Sequence, residues 1–213
     1  MRSILANNLL FVEGRVVLIL FIFIGVIGFL FWLPLAAIAI LLLFFSLFFF
    51  RNPNRVSHAP TNAILSPADG KIVAISYDAA QAEGFACRIS IFLSIWNVHV
   101  QRAPISGEVQ HIIYNNGKFF PAFIPKSSSK NERNDIIICA TNNYIYKIRQ
   151  IAGIIARRIS CWVSVDNNIK RGQPIGMIRF GSRVDFFLPK NTTIVVRCGD
   201  HVYGGLTIIG YAR

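Results

Sequence analysis

Ile178-Arg179-Phe180-Gly181-Ser182-Arg183-Val184-Asp185-Phe186-Phe187-Leu188-Pro189 sets two β-prone runs on either side of a Gly-Ser pair. Such a pair reads as a tight turn between strands, with a hydroxyl presented beside an unhindered carbonyl. That geometry permits chemistry on the chain itself. The Ser182 hydroxyl can attack the Gly181 carbonyl, and glycine tolerates the strained backbone that helps the approach. Gly-Ser pairs also close ordinary hairpins, so this one acquires meaning only from its surroundings.

The surrounding sequence is of the same β-prone kind. Lys71 to Ser76, Cys87 to Leu93, Gly107 to Tyr114, Asp135 to Ala140, Tyr144 to Arg149, Pro174 to Phe180, Val184 to Leu188 and Thr192 to Cys198 are short β-branched or aromatic runs between turn signals. Only Ile151 to Ala156 hints at a helix. Pro67-Ala68-Asp69-Gly70-Lys71-Ile72 is echoed by Pro104-Ile105-Ser106-Gly107-Glu108-Val109, and both read as proline-led turns feeding a strand. The expected fold is mainly β, a compact barrel- or sandwich-like domain with few short helices. The polar stretch Asn115 to Asn134 reads as a long loop of the kind that serves as a lid or binding loop, or else is disordered.

Composition changes sharply toward the N-terminus. The chain has 213 residues, 54% hydrophobic, and a formal net charge of +12. From Val16 to Phe50, 35 consecutive residues carry no charge. One membrane span needs about 20 such residues, so the run is too long for a single upright helix. Pro34 divides it into Val16 to Leu33 and Leu35 to Phe50. Residues 1–50 are therefore expected to form a membrane anchor of two short helices broken at Pro34, and residues 51–213 a separate domain. A helical hairpin and one tilted, kinked helix both fit. Arg2 and Arg15 before the run and Arg51 and Arg55 after it favour the hairpin, with both ends and the domain on the cytoplasmic face of the cell membrane. A cleaved signal peptide fits poorly, because the apolar region is too long and no small-residue cleavage site follows it.

Residues 51–213 carry 20 Lys and Arg against 9 Asp and Glu. Beside a bilayer, that balance draws a domain toward anionic head groups. Nucleic acid is the usual competing partner, but no helix-turn-helix, RNA-recognition or zinc-finger pattern is present. Cys87, Cys139, Cys161 and Cys198 stand at wide spacings, with neither a metal-ligand pattern nor a disulfide framework, so no metal is expected.

The chain has four histidines, His58, His99, His111 and His201. His99 stands out in the otherwise apolar segment Ile95-Trp96-Asn97-Val98-His99-Val100, where a satisfied core histidine is the ordinary explanation. Asp69, in Ser66-Pro67-Ala68-Asp69-Gly70, is ordinarily a turn aspartate. Together, Asp69, His99 and Ser182 supply an acid, a base and a hydroxyl nucleophile, a set recognised by geometry and not by chain order.

Five motifs carry a resemblance. Phe49-Phe50-Arg51-Asn52-Pro53, Ser66-Pro67-Ala68-Asp69-Gly70, Asn97-Val98-His99 through Arg102-Ala103-Pro104, Asn131-Glu132-Arg133 and Arg179-Phe180-Gly181-Ser182-Arg183-Val184-Asp185 occur in the order found in the phosphatidylserine decarboxylases. The chain resembles the short, archaeal-type branch of that family over essentially its whole length. Two departures stand out. The cleavage triad is Phe-Gly-Ser in place of Leu-Gly-Ser, and Trp96 stands where longer members have a further histidine, so no role of that histidine carries over.

The resemblance implies a proenzyme that cuts itself between Gly181 and Ser182, leaving a β chain of residues 1–181 and an α chain of residues 182–213 bound to each other. Ser182 would be the nucleophile and the precursor of a covalent pyruvoyl group. His99 would be the base of maturation and a proton donor in turnover, with Asp69 orienting it. The pyruvoyl ketone would form a Schiff base with phosphatidylserine and release carbon dioxide, giving phosphatidylethanolamine. The oligomeric state, homo-oligomer included, stays open. A different class of protein also fits a β domain behind an apolar anchor: a non-catalytic adaptor or carrier, in which Gly181-Ser182 is only a turn. A lysine-tipped carrier motif is lacking, and a metallopeptidase finds no ligand cluster.

Overall fold

The structure, a computed structural model, describes residues 9–118, 131–153, 159–179 and 181–212. The chain divides into two compact units, residues 1–54 and 55–213.

The first unit is a helical hairpin. After a short 3-10 turn at Leu9–Phe11, helix α1 spans Arg15–Phe31 and helix α2 spans Leu33–Phe49. The break falls at Trp32 and not at Pro34: Trp32 is extended, with φ −161 and ψ 98. Pro34 sits instead in the first turn of α2, where its missing N–H would have had no helical partner anyway. Gly28 lets the helices close on each other, since a Cβ there would come within 2.4 Å of the Ala36 nitrogen. Each helix has 17 residues, about 25 Å at 1.5 Å per residue, against a hydrocarbon core of about 30 Å. Among the described residues, no helix is long and apolar enough to cross a membrane.

The second unit is mainly β. Its strands are β1 Ala63–Leu65, β2 Gly70–Ser76, β3 Cys87–Leu93, β4 Val100–Arg102, β5 Gly107–Asn115, β6 Arg133–Ala140, β7 Ile145–Ile151, β8 Ile159–Cys161, β9 Asn168–Ile169, β10 Pro174–Ile178, β11 Ser182–Leu188, β12 Thr192–Ile194, β13 His201–Val202 and β14 Ile208–Ala212, with one short helix, α3, at Asp78–Gln81. They form three open sheets: an eight-stranded one in the order β13-β2-β3-β11-β7-β6-β5-β9, and two of three strands, β1-β14-β12 and β4-β10-β8. All the strand pairs are antiparallel.

One apolar core joins the three sheets. Ile64 and Ile209 come from one small sheet, Ile175 and Ile178 from the other, and Ile89, Ile91, Ile136, Ile148, Val184 and Phe186 from the inner face of the large sheet. The strict in-out alternation of β11 follows from this arrangement: Val184, Phe186 and Leu188 join the core, while Arg183, Asp185 and Phe187 point the other way.

Three sequence expectations change. Ile151 ends strand β7, so the helix expected from Ile151 to Ala156 does not begin there, and residues 154–158 lie outside the described set. The expected loop from Asn115 to Asn134 is shorter, because Asn115 closes β5 while Arg133 and Asn134 open β6 as its register partners; residues 119–130 lie outside the described set. Ser182 is not a turn residue but the first residue of β11, and its main chain is already paired with Leu93.

Candidate functional site

The site arises where the chain twice changes sheet. Strand β3 belongs to the large sheet and β4 to a small one, and residues 94–99 connect them. Likewise β10 lies in that small sheet and β11 at the centre of the large one, connected by residues 179–181. Pairing sets the two connections side by side: Met177 of β10 faces Val100, the residue after His99, and Ser182 of β11 faces Leu93, the residue before Ser94. His99 and Ser182, 83 positions apart, therefore arrive at one corner, and both are fully buried.

Gly181 turns that corner with φ +59, in the left-handed region. A Cβ there would meet nothing within 4 Å, so glycine is required for its conformation and not for space. Among the described residues the buried Ser182 hydroxyl has no hydrogen-bond partner. Leaving a buried hydroxyl unsatisfied costs roughly 1–3 kcal/mol.

The His99 ring is fixed by its own loop. Asn97 is anchored first: its side-chain oxygen accepts from the Ser94 amide at 2.9 Å and from the Ser94 hydroxyl at 2.8 Å. Its main-chain carbonyl then lies 3.0 Å from His99 Nδ1. A carbonyl can only accept, so Nδ1 carries the hydrogen and the lone pair resides on Nε2, the form a general base needs. The other three histidines are exposed.

Asp69 is buried but is not joined to His99. Its two oxygens receive Arg55 Nη1 at 2.5 Å and Nη2 at 2.8 Å, and the Gly204 amide donates to it at 2.7 Å. The contact to His99 Nδ1 is made here by the Asn97 carbonyl and not by Asp69. Asp69 instead braces the Ser66–Gly70 turn, whose Pro67 carbonyl accepts from the Arg102 amide at 2.8 Å and so steadies β4. Arg102 is buried beside this pair. Burial, aided by the Arg55 charge and opposed by Asp69, pulls its pKa down to about 10.

On the opposite face of β11, Arg183 Nε donates to Asp185 Oδ1 at 2.6 Å and its Nη2 to the Ser90 hydroxyl at 2.8 Å. This ties the first turn of the strand to β3. A cleft of about 830 Å³ in the same domain is lined by Arg55, Ser57, Ser106, Lys170 and Arg171 among others. Its guanidinium groups are already engaged: Arg171 donates to the carbonyls of Ala59, Pro60, Thr61 and Ala63, and Arg55 to Asp69 and the Gly204 carbonyl.

A family profile described as phosphatidylserine decarboxylase matches residues 41–210. The chain is 46% identical over 184 residues to a phosphatidylserine decarboxylase proenzyme of Carboxydothermus hydrogenoformans, covering 84% of each chain. It is 45% identical over 168 residues to one of Desulfotalea psychrophila, covering 78% of each, and 40% identical over 202 residues to one of Ruegeria pomeroyi, covering 92% of each.

Proposed function

This chain belongs to the phosphatidylserine decarboxylase family, and on that premise we propose that it is a self-processing enzyme whose electrophile is a pyruvoyl group made from its own Ser182. The observation that carries the proposal is the buried Ser182 hydroxyl, unpartnered among the described residues, directly behind a left-handed glycine.

Maturation follows from the residues at the corner. His99 Nε2 takes the Ser182 hydroxyl proton while Asn97 holds Nδ1–H, and Oγ attacks the Gly181 carbonyl carbon. The Gly181–Ser182 amide becomes an ester as the C–N bond breaks and the nitrogen takes a proton. Loss of the Ser182 α-proton then expels Gly181 as a carboxylate. The dehydroalanine that remains tautomerises to an imine, and water releases its nitrogen as ammonia. Burial of the corner keeps bulk water from hydrolysing the ester before elimination. The finished group supplies a ketone for the substrate amine and a conjugated carbonyl that takes up the electron pair as carbon dioxide leaves.

His99 serves as the base of maturation and returns a proton to the product carbon. Asp69 acts on His99 at one remove, by bracing the turn that steadies β4. The α chain stays in place because β11 is paired on both sides, with β3 and with β7. The apolar hairpin docks the enzyme at a lipid surface, and the flanking Arg2, Arg15, Arg51 and Arg55 favour the cytoplasmic face.

Intact mass spectrometry of the native chain beside a Ser182→Ala variant tests the proposal. The expected result is two native fragments, the smaller beginning at position 182 with a blocked N-terminus, and an uncut variant of 23.9 kDa. An uncut native chain, folded and in the presence of lipid, would favour the anchored adaptor instead.

A further inference from the structure

His99 is held at two points, and the second leads away from the site. Besides the ring contact to Asn97, its own main-chain carbonyl accepts from Gln101 Nε2 at 2.8 Å. Gln101 Oε1 in turn accepts from Gln150 Nε2 at 2.9 Å, and Gln150 Oε1 from Asn134 Nδ2 at 2.9 Å. Three carboxamides thus run from β6 through β7 to β4, bridging the large sheet and the small one.

The sense of the chain is dictated at one end. The His99 carbonyl can only accept, so Gln101 must turn its NH2 toward it and its oxygen toward Gln150, and the same constraint passes on to Asn134. All three residues are buried, at 0%, 0% and 1% exposure. Val184, Gln150 and Asn134 form one row across the inner face of the large sheet, next to the row that Ser182 begins. The adjoining inward positions are apolar: Ile136, Ile148 and Phe186.

Packing alone does not ask for amides here. A leucine-like side chain would suit that face without any group to satisfy, and the far end of the chain is in fact unsatisfied, since Asn134 Oδ1 has no partner among the described residues. A Cβ on Gly176 of β10 would come within 2.5 Å of the Ser160 carbonyl oxygen of β8 and within 2.8 Å of Gln150 Nε2, so the carboxamide chain packs close against β10.

We propose that Gln101, Gln150 and Asn134 are positioning residues that fix the peptide of His99 and thereby aim its imidazole, a proposal that rests on the reading of His99 as the base for Ser182. Small errors in the direction of a base are costly, and a carboxamide chain anchored in two sheets resists them better than a lone loop contact.

The experiment uses Gln150→Met, which removes both bonds at similar volume, and Gln150→Glu, which keeps the acceptor for Asn134 but loses the donor to Gln101. Self-cleavage is timed in the full chain by gel, and the His99 ring nitrogens are read by NMR in the same variants combined with Ser182→Ala, where no cleavage can occur. Both variants are expected to slow cleavage about tenfold or more and to blur the single Nδ1-protonated signal of His99 while circular dichroism stays native. Cleavage within about twofold of the unsubstituted chain, or an unchanged His99 signal in a folded variant, overturns the proposal. Asn134→Leu, at the far end, supplies the same readouts if the Gln150 variants do not fold. If the unsubstituted chain does not cut itself, the self-processing reading fails by itself, and the His99 signals still decide the carboxamide chain.

Discussion

Ser182 and Arg183 are consecutive residues of one strand, and their surroundings could hardly differ more. Both are buried, and both carry polar groups. On the outer face, Arg183 meets Asp185 and Ser90, and on the neighbouring strand β7 Arg149 grips Asp135 at 2.7 Å through both Nε and Nη2, while Arg149 and Lys147 both reach Glu83. Lys147 also lies 4.1 Å over the Phe187 ring. On the inner face the buried Ser182 hydroxyl has no hydrogen-bond partner among the described residues. The contrast separates two uses of a buried polar group. The saturated one holds its strand in place, whereas the hydroxyl of Ser182 makes no such tie among the described residues.

That contrast can be broken from either side. The largest effect is expected at the inner face: His99→Ala removes the base and should slow self-cleavage by about 10²–10⁴-fold, the usual contribution of such a group, measured as the half-time for appearance of the smaller fragment. Next comes the outer face. Arg183→Met leaves Asp185 buried without its guanidinium and should destabilise the domain by about 3–5 kcal/mol, seen as a lower urea midpoint in an uncleavable Ser182→Ala background. Gly181→Ala should cost less, about 1–2 kcal/mol, because it forces an L side chain into the left-handed region but meets no neighbour. A drop of a few degrees in melting temperature would register it.

The smallest effect concerns pH. Burial alone would raise the pKa of Glu83, but the bonds from Arg149 and Lys147 outweigh it and hold the carboxyl below its ordinary value. A lowered folded pKa means that the group stabilises the fold above its unfolded value of 4.5 and ceases to do so as the pH falls through the folded one. The melting-temperature advantage of the native chain over Glu83→Gln should therefore be present at pH 6 to 7 and shrink as acid is added below about pH 4.5. An advantage that grows with acid would reverse the sign of this account.

The sequence was most readable where a pattern is local. Cys87 to Leu93 is strand β3 residue for residue, because β-branched and apolar side chains alternate there with turn signals on both flanks. The hairpin is also legible, although the sequence points to a break two residues late: proline is an obvious breaker, but its place in a first turn is harmless, and the bend falls at Trp32. Ile151 is ambiguous in sequence because a short apolar run has no period of its own, and pairing with Arg133 and Arg183 on both sides makes it a strand.

The site divides in the same way. Ser182, His99 and Asp69 could be picked out by residue type, but a side chain's partner is a tertiary fact. Arg55 took Asp69, and Asn97 took the ring nitrogen of His99. The spacing of Ser94 and Asn97 does signal a side-chain-capped turn, which was a usable clue. Gln101, Gln150 and Asn134 offered none, since 49 residues separate the first two and no local rule links them.

The place of β11 in the middle of the large sheet has a thermodynamic consequence. While the chain is whole, refolding after denaturation is first order and independent of concentration. Scission before Ser182 would make the central strand a separate 32-residue polypeptide, and recovery would then require two molecules to meet, one of them with no fold of its own. A matured molecule of this design would fold only once. Its lifetime would be governed by how fast it comes apart, so a scan upward in temperature and back should recover the uncut Ser182→Ala protein and lose the mature one.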